Sequence, residues 1–345
     1  MPFLGLSHEI EFTGQVRARD LGIRIGELEP GPYDAITDVE GIRVGHTTLV
    51  EGDDVRTGVT AVVPPDLPLF AGSHRLNGNG ELTGLEWIRE SGLLTTPIGI
   101  TNTFSVGAVR DAIAAASADE EAWALPVVGE TYDGFLNDSR GQHVTAEHTL
   151  SALDDARGGT VDEGNVGGGT GMICHGYKGG IGTASRVADD HVVGVLVQAN
   201  HGRQRRLRVN GVPIPNNTVL QQSDGGGSII GIVATNAPLL PHQCDRLAGR
   251  AGLGVARMGG LGENSSGDLF LALATGNRAL GERDAPFAVR MLPNEQMDSL
   301  FEAVVDATEE AILNAMLAAE TMTGRDGHVV SALDADFLTE ALRRS

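Results

Sequence analysis

Two serines, Ser265 and Ser266, close the glycine-rich stretch Gly259-Gly-Leu-Gly-Glu-Asn-Ser-Ser-Gly-Asp268 and stand just before the apolar run Leu269-Phe-Leu-Ala-Leu-Ala274. A hydroxyl at the mouth of a buried strand suits a chain that cuts itself. Such a serine attacks the carbonyl before it and becomes a new N-terminus, whose α-amine then serves as general base for its own hydroxyl. The same residues also spell an ordinary turn, because Gly, Ser and Asp all favour turns. The local pattern alone leaves both readings open.

Other candidates stand at the ends of predicted strands, where functional side chains commonly emerge. Glu130-Thr-Tyr132-Asp133 follows one such strand, and Asn200-His-Gly follows another. On the last helix, Thr308, Glu309 and Glu310 interrupt a stretch that is otherwise apolar or small. Thr308 and Glu310 are two residues apart, so on a helix they point about 200° apart and share a site only if it straddles the helix.

Several familiar chemistries lack their pattern. His143 and His148 are five residues apart, about 140° on a helix, which does not suit a metal pair. The ten histidines offer no better spacing, so no metal site is expected. Asn165-Val-Gly-Gly-Gly-Thr-Gly171 lacks the order of a nucleotide-binding loop, and its glycines read as places of close backbone approach. No Gly-x-Ser-x-Gly elbow occurs. Arg203-Gln-Arg-Arg-Leu-Arg208 is a lone basic island, read as an ion-pairing or subunit-contact patch. The formal charge of −21 argues against a nucleic-acid partner.

The elements that must position these residues follow from composition and pattern. With 345 residues, 41% hydrophobic and 4% aromatic, the core is built of Val, Ile, Leu and Ala. Two cysteines, Cys174 and Cys244, are too few for a disulfide framework. No basic leader and no run of about 18 apolar residues is evident, so a soluble, cytoplasmic protein is expected. Strands are predicted from Ile36 to Gly45 with a turn at Glu40-Gly41, and at 57–63, 97–100, 122–128, 181–186, 192–198, 228–235 and 269–274. Helices are predicted over 82–90, 105–116, 145–156, 241–258 and 297–322. Residues 1–34 read as an arm before a single domain, and Val212 to Gly227 as a long exposed loop. Near-continuous apolar strands imply sheets buried on both faces. Their mixed order with the helices predicts an α+β fold, a layered αββα sandwich rather than a doubly wound sheet.

Taken together, Ala35-Ile-Thr-Asp-Val-x-Gly-x-Arg-Val-Gly-His-Thr-Thr48, Asn77-Gly-Asn-Gly-Glu-Leu-Thr-Gly84, Thr101-Asn-Thr-Phe-Ser-Val-Gly107, Val128-Gly-Glu-Thr-Tyr-Asp-Gly134, Asn165-Val-Gly-Gly-Gly-Thr-Gly-Met172 and Ser266-Gly-Asp268 resemble the L-aminopeptidase/D-esterase (β-peptidyl aminopeptidase) family. The resemblance implies a four-layer αββα sandwich, similar to but topologically distinct from the N-terminal-nucleophile (Ntn) hydrolases. It implies self-cleavage into an α chain, 1–265, and a β chain, 266–345, with Ser266 as nucleophile. The family pattern has Gly or Asn where this chain has Ser265. The scissile bond is therefore Ser265-Ser266 by alignment, or Asn264-Ser265 as the fallback.

The resemblance further implies that Glu130 holds the substrate's α-ammonium, that Tyr132 and Asn200 donate to the oxyanion, and that Thr308 and Glu310 stand near the nucleophile. The substrates would be small peptides, amino acid amides or esters, with no cofactor, no nucleic acid and no membrane, in a homo-oligomer, a tetramer by resemblance. Two alternatives remain: an acyltransferase of the ornithine acetyltransferase type, which uses threonine in a different motif, and a non-catalytic binding protein on the same scaffold.

Overall fold

The computed structural model describes residues 15–117, 124–216, 227–281 and 285–344. The first half supplies β1 (Arg43–Glu51), β2 (Val55–Val63), β3 (Leu69–Arg75), α1 (Leu85–Ser91), β4 (Leu93–Leu94), β5 (Ile98–Asn102), α2 (Val106–Ala116), β6 (Val127–Thr131) and α3 (Ala146–Asp154). The second half supplies β7 (Gly180–Ala188), β8 (His191–Asn200), β9 (Ser228–Thr235), α4 (Pro241–Arg257), β10 (Asp268–Ala274), α5 (Met297–Leu317) and α6 (Ala335–Arg343). One sheet has the order β1-β2-β5-β6 and the other β4-β3-β10-β9-β8-β7. Neighbours are antiparallel except β5 with β6 and β9 with β10.

The side chains of β10 show how the layers form. Leu269, Leu271 and Leu273 enter a core between the sheets, with Ile98, Ile100 and Ile230. The alternate residues Phe270, Ala272 and Ala274 enter a second core with Leu247, Ala251, Ala307 and Ala311 of α4 and α5. A strand with a period of two and apolar residues on both faces must lie between two layers. A third core, containing Val59, Ala61, Val109 and Ile113, lies between the first sheet and its covering helices. The result is the αββα sandwich that the sequence predicts.

α4 begins at Pro241, whose missing N–H costs nothing at a first helical position. Gln243 reaches back to accept the Leu240 N–H at 3.1 Å. Cys244, Leu247, Ala248, Ala251 and Val255 form its buried stripe. The triple glycine at 167–169 serves close packing: a Cβ on Gly168 would lie 2.6 Å from the Ile100 carbonyl, and one on Gly169 2.4 Å from the Ile181 nitrogen.

Boundaries differ from the sequence reading in a few places. Ile36–Asp38 is a 3-10 turn, Gly41 breaks the chain with φ +88°, and the strand is Arg43–Glu51. β3, which pairs with β10, was not anticipated. The strand expected at 122–128 lies at Val127–Thr131, and residues 122 and 123 are outside the described residues. The last long helix stops at Leu317. From residue 15 onward the expected arm is docked on the domain. Arg17 pairs with Glu163 at 2.7 Å, and the buried Ala18 N–H donates to Asn314 Oδ1 at 2.9 Å. Of the expected loop 212–227, Val212-Pro213 pairs with Arg208-Val209, and residues 217–226 are outside the described residues.

Candidate active site

Ser266 sits where the linker from α4 turns into β10, and it is only 1% exposed. Its Oγ donates to Asp268 Oδ1 at 2.5 Å. The first residue of β10 is fixed by Asn77. Asn77 Oδ1 accepts the Asp268 N–H at 2.6 Å, and Asn77 Nδ2 donates to Asp268 Oδ2 at 3.1 Å. The same amide donates to the Glu263 carbonyl at 3.2 Å, and the Ser266 N–H closes a turn onto that carbonyl at 2.9 Å. Arg206 and Arg203 of the basic island hold the Glu263 carboxylate at 3.2 and 3.6 Å. Burial raises the Asp268 carboxyl above its ordinary range, while the bonds from Ser266 and Asn77 pull it down.

The strip that follows Asn77 laces this turn to the other sheet. Asn79 Nδ2 donates to the Ser265 carbonyl at 2.8 Å, and the Asn79 N–H to the Ser266 carbonyl at 3.2 Å. The chain then runs along the edge of β6: the Glu130 N–H donates to Glu81 O at 3.2 Å and the Thr83 N–H to Val128 O at 3.0 Å. Gly80 marks the junction. A Cβ there would lie 3.0 Å from Gly267 Cα and 3.2 Å from Glu130 Oε1. Only a residue without a side chain lets the Glu130 carboxylate and the backbone beside Ser266 come this close.

Glu130 is 4% exposed, and burial pushes its carboxyl up. The Thr103 hydroxyl on Oε2 and the Glu81 N–H on Oε1, at 2.9 Å, oppose that shift. A carboxylate desolvated in this way gains from any cation that enters beside it. A cleft of about 470 Å³ opens beside Gly80, lined by Gly78, Glu81, Leu82, Trp87, Arg110 and Leu269 among others but not by Ser266 or Glu130.

Asn200 ends β8, paired with Ser228 of β9. Ser228 Oγ accepts the Gly267 N–H at 3.0 Å, so Asn200, Ser228 and Gly267 lie in sequence across one end of the sheet. Asn200 Nδ2 donates to the Tyr132 carbonyl at 3.0 Å, and its Oδ1 accepts the Ile173 N–H at 2.8 Å. Tyr132 is 52% exposed, stands edge-on to Phe104, and leaves its phenol oxygen over Gly134.

Thr308 and Glu310 are placed elsewhere. Glu310 bonds Arg186 of β7, and Arg19 joins it at 2.9 Å. In the sheet order β7 is three strands away from β10, or about 14 Å at 4.8 Å per strand. Burial, then Asp34, push the Glu310 carboxyl up against the pull of both arginines. Thr308 is fully buried against Gly254 of α4, and its Oγ1 makes no hydrogen bond. Neither side chain bonds Ser266. The helix directs them to its two sides, as the spacing of two residues requires.

The structure also assembles a cluster that linear spacing hides. Cys174, His175 and His201 are all buried with ligand atoms within 4.8 Å of one another, and they are the group that could hold a metal ion among the described residues. Cys174 Sγ lies 3.8 Å from His201 Nδ1, and His175 Nδ1 lies 3.2 Å from the Arg203 carbonyl. Burial lowers the affinity of both imidazoles for a proton. His143 and His148 do not join it: His143 pairs with Asp138 at 3.2 Å, and His148 Nδ1 accepts the Thr145 N–H at 3.1 Å.

The residues that hold Ser266 and Glu130 in place were not singled out by the sequence reading: Asn77, Asn79, Thr103, Ser228 and Asp268. The available signals were the Asn-Gly-Asn-Gly turn and the Thr101-Asn-Thr stretch, both visible as motifs but without a partner to give them a role.

A buried serine at the head of a central strand, a buried carboxylate across one glycine, and an αββα frame define a serine-type hydrolase with an Ntn-like fold. The chain belongs to peptidase family S58, whose model matches residues 34–330. It is 45% identical to the β-peptidyl aminopeptidase BapA of Sphingosinicella microcystinivorans, covering 95% of this chain and 92% of that protein. A solved Burkholderia sp. β-aminopeptidase is 52% identical, with a TM-score of 0.88 over 95% of this chain and 99% of the other. The L-aminopeptidase D-Ala-esterase/amidase of Ochrobactrum anthropi, described as a new variant among the Ntn hydrolase fold, is 44% identical with a TM-score of 0.88, covering 95% and 98%.

Proposed function

We propose that this chain is a self-processing serine aminopeptidase that releases N-terminal residues from amino acid amides, esters and short peptides. It cuts itself at Ser265-Ser266 into residues 1–265 and 266–345. The observation that carries the reading is the junction at Gly80, with Ser266 beside Gly267 on one side and the Glu130 carboxylate on the other. An enzyme that demands a free α-amine needs an anion one residue's reach from its nucleophile. A buried carboxylate meets that need and disfavours blocked termini, which bring no charge to offset its desolvation.

In turnover the substrate's α-ammonium binds Glu130 and its carbonyl meets Ser266 Oγ. The new α-amine of Ser266 accepts the hydroxyl proton and returns it to the leaving amine. Tyr132 through its hydroxyl and Asn200 through its amide stabilise the oxyanion. Water then releases the acyl group. Thr308 and Glu310 act on this reading as supports of α5, with Glu310 the counter-ion of Arg186 and Arg19. The proposal includes a homo-oligomer, a tetramer by resemblance, in the cytoplasm. No helix of the described residues is long and apolar enough to cross a membrane.

Intact mass and a denaturing gel of the purified protein, with turnover of aminoacyl p-nitroanilides, test this reading. Two chains with Ser266 at the new N-terminus are expected. Ser266→Ala should stay whole and inactive, and Ser265→Ala should split and turn over. An unsplit chain that cleaves the anilide overturns the processing claim.

A further inference from the structure

We propose that Asn79 is the oxyanion donor and Asp268 the proton acceptor of the self-cleavage step, a cutting machinery distinct from the groups used on substrates. The proposal rests on the self-processing reading above. Before the cut, the nitrogen of Ser266 is an amide that donates its proton to the Glu263 carbonyl at 2.9 Å. An amide nitrogen is no base, so the first cut needs another. Asp268 Oδ1 accepts the Ser266 hydroxyl at 2.5 Å. Its other oxygen is bonded by Asn77 Nδ2 at 3.1 Å and its N–H by Asn77 Oδ1 at 2.6 Å, which together keep the carboxylate from swinging away.

The carbonyl to be attacked is equally defined. Asn79 Nδ2 lies 2.8 Å from the Ser265 oxygen, inside the range of about 2.7–3.1 Å that an oxyanion donor requires. The Asn79 N–H donates to the Ser266 carbonyl at 3.2 Å, so one asparagine spans the Ser265-Ser266 bond. Among the described residues no hydrogen bond reaches the Asn264 carbonyl, which selects Ser265-Ser266 over the bond before it. Asn200 uses its side chain on the Tyr132 carbonyl and the Ile173 N–H, not on Ser265.

The step balances. The Ser266 hydroxyl proton passes to Asp268 as Oγ bonds the Ser265 carbonyl carbon, and the carbonyl electron pair moves onto the oxygen facing Asn79. As the centre collapses, the C–N bond breaks and Asp268 gives its proton to the departing amine, leaving an ester between Ser265 and Ser266 Oγ. Water adds to the ester, releases the Ser265 carboxylate and restores the Ser266 hydroxyl, now beside a free α-amine.

The test follows chain splitting in the full-length protein by pulse-chase gel and intact mass, for wild type, Asn79→Ala and Asn79→Asp, each with a melting curve. Asn79→Asp keeps the shape, removes the donor, and carries the test if the alanine variant does not fold. Splitting of both variants is expected to slow about 10²- to 10³-fold, the usual loss for one oxyanion donor. Asp268→Asn should slow it as well. Folded Asn79 variants that split at the wild-type rate, or wild-type cleavage between Asn264 and Ser265, overturn the proposal. A wild-type chain that never splits instead overturns the self-processing reading on which it rests.

Discussion

Replacing Glu130 by glutamine isolates the charge from the shape. The Glu81 N–H lies 2.9 Å from Oε1 and finds an acceptor in either side chain, and the Thr103 hydroxyl can turn to accept from the new amide. The side-chain shape is unchanged, and the Glu81 N–H keeps its acceptor. What is lost is the ionic partner of the substrate's ammonium. A charge-assisted hydrogen bond contributes about 1.5–3 kcal/mol net, and tenfold in rate corresponds to about 1.4 kcal/mol. Glu130→Gln should therefore cut kcat/KM for a free aminoacyl p-nitroanilide roughly 10- to 150-fold, with little change for the N-acetyl analogue. The ratio between the two substrates is the readout. The unbound protein should melt no lower than wild type, because burial already disfavours the charged form of Glu130. A variant that keeps the wild-type ratio refutes the assignment of Glu130 to the amine. A variant that loses activity equally on both substrates shows that the carboxylate acts on the chemistry and not on recognition.

Three further expectations follow from the same geometry. A Cβ on Gly267 would lie 2.5 Å from Gly80 Cα, all backbone around it, whereas a Cβ on Gly281 meets nothing within 4 Å. Gly267→Ala should cost about 1–3 kcal/mol by overcrowding and slow splitting, while Gly281→Ala leaves urea unfolding unchanged. Glu310→Ala removes the bonded counter-ion of the buried Arg186 and leaves it Asp34 at 3.6 Å, which should cost about 3 kcal/mol, the low end for a broken buried pair, in the same unfolding measurement. Lys178 is fully buried on the carbonyls of Gly169, Met172 and Gly179, and burial lowers its pKa from 10.5 to about 7. The unfolded chain thus binds the extra proton between those values, so this group makes stability rise with pH across that window. Unfolding free energies measured from pH 7 to 10 should show the slope in wild type and a flatter one in Lys178→Met.

How much of this was legible in the chain depends on whether the cause is local. Helix limits were close, because Pro241, the apolar stripe of α4 and the glycines after it act within a few residues. β10 was visible because an apolar run with both parities filled has only one place to go, between two layers. β3 escaped: Leu69-Phe-Ala-Gly-Ser-His-Arg75 has little β-propensity of its own and becomes a strand by pairing with β10. Where the expected arm docks from residue 15 onward is not written locally, because its ion pairs, Arg17 with Glu163 and Arg19 with Glu310, join residues far apart in sequence. The cluster of Cys174, His175 and His201 was hidden for the same reason.

By itself the sequence determined the layered α+β fold, the strand that presents Ser266, and the family, since each is written in periodicity or in contiguous motifs. Only the tertiary structure decided which groups attend that serine. Asn77 and Asn79 bond the turn that carries it, and Glu130 lies across Gly80 from Gly267, because the strip from Asn77 to Thr83 crosses from one sheet to the edge of the other. Glu310 stands apart, because its turn of α5 lies over β7, where Arg186 takes its charge. A side chain's chemistry is fixed by its type, but its partner is fixed by the register of strands and the crossing of helices, and neither is encoded at the residue itself.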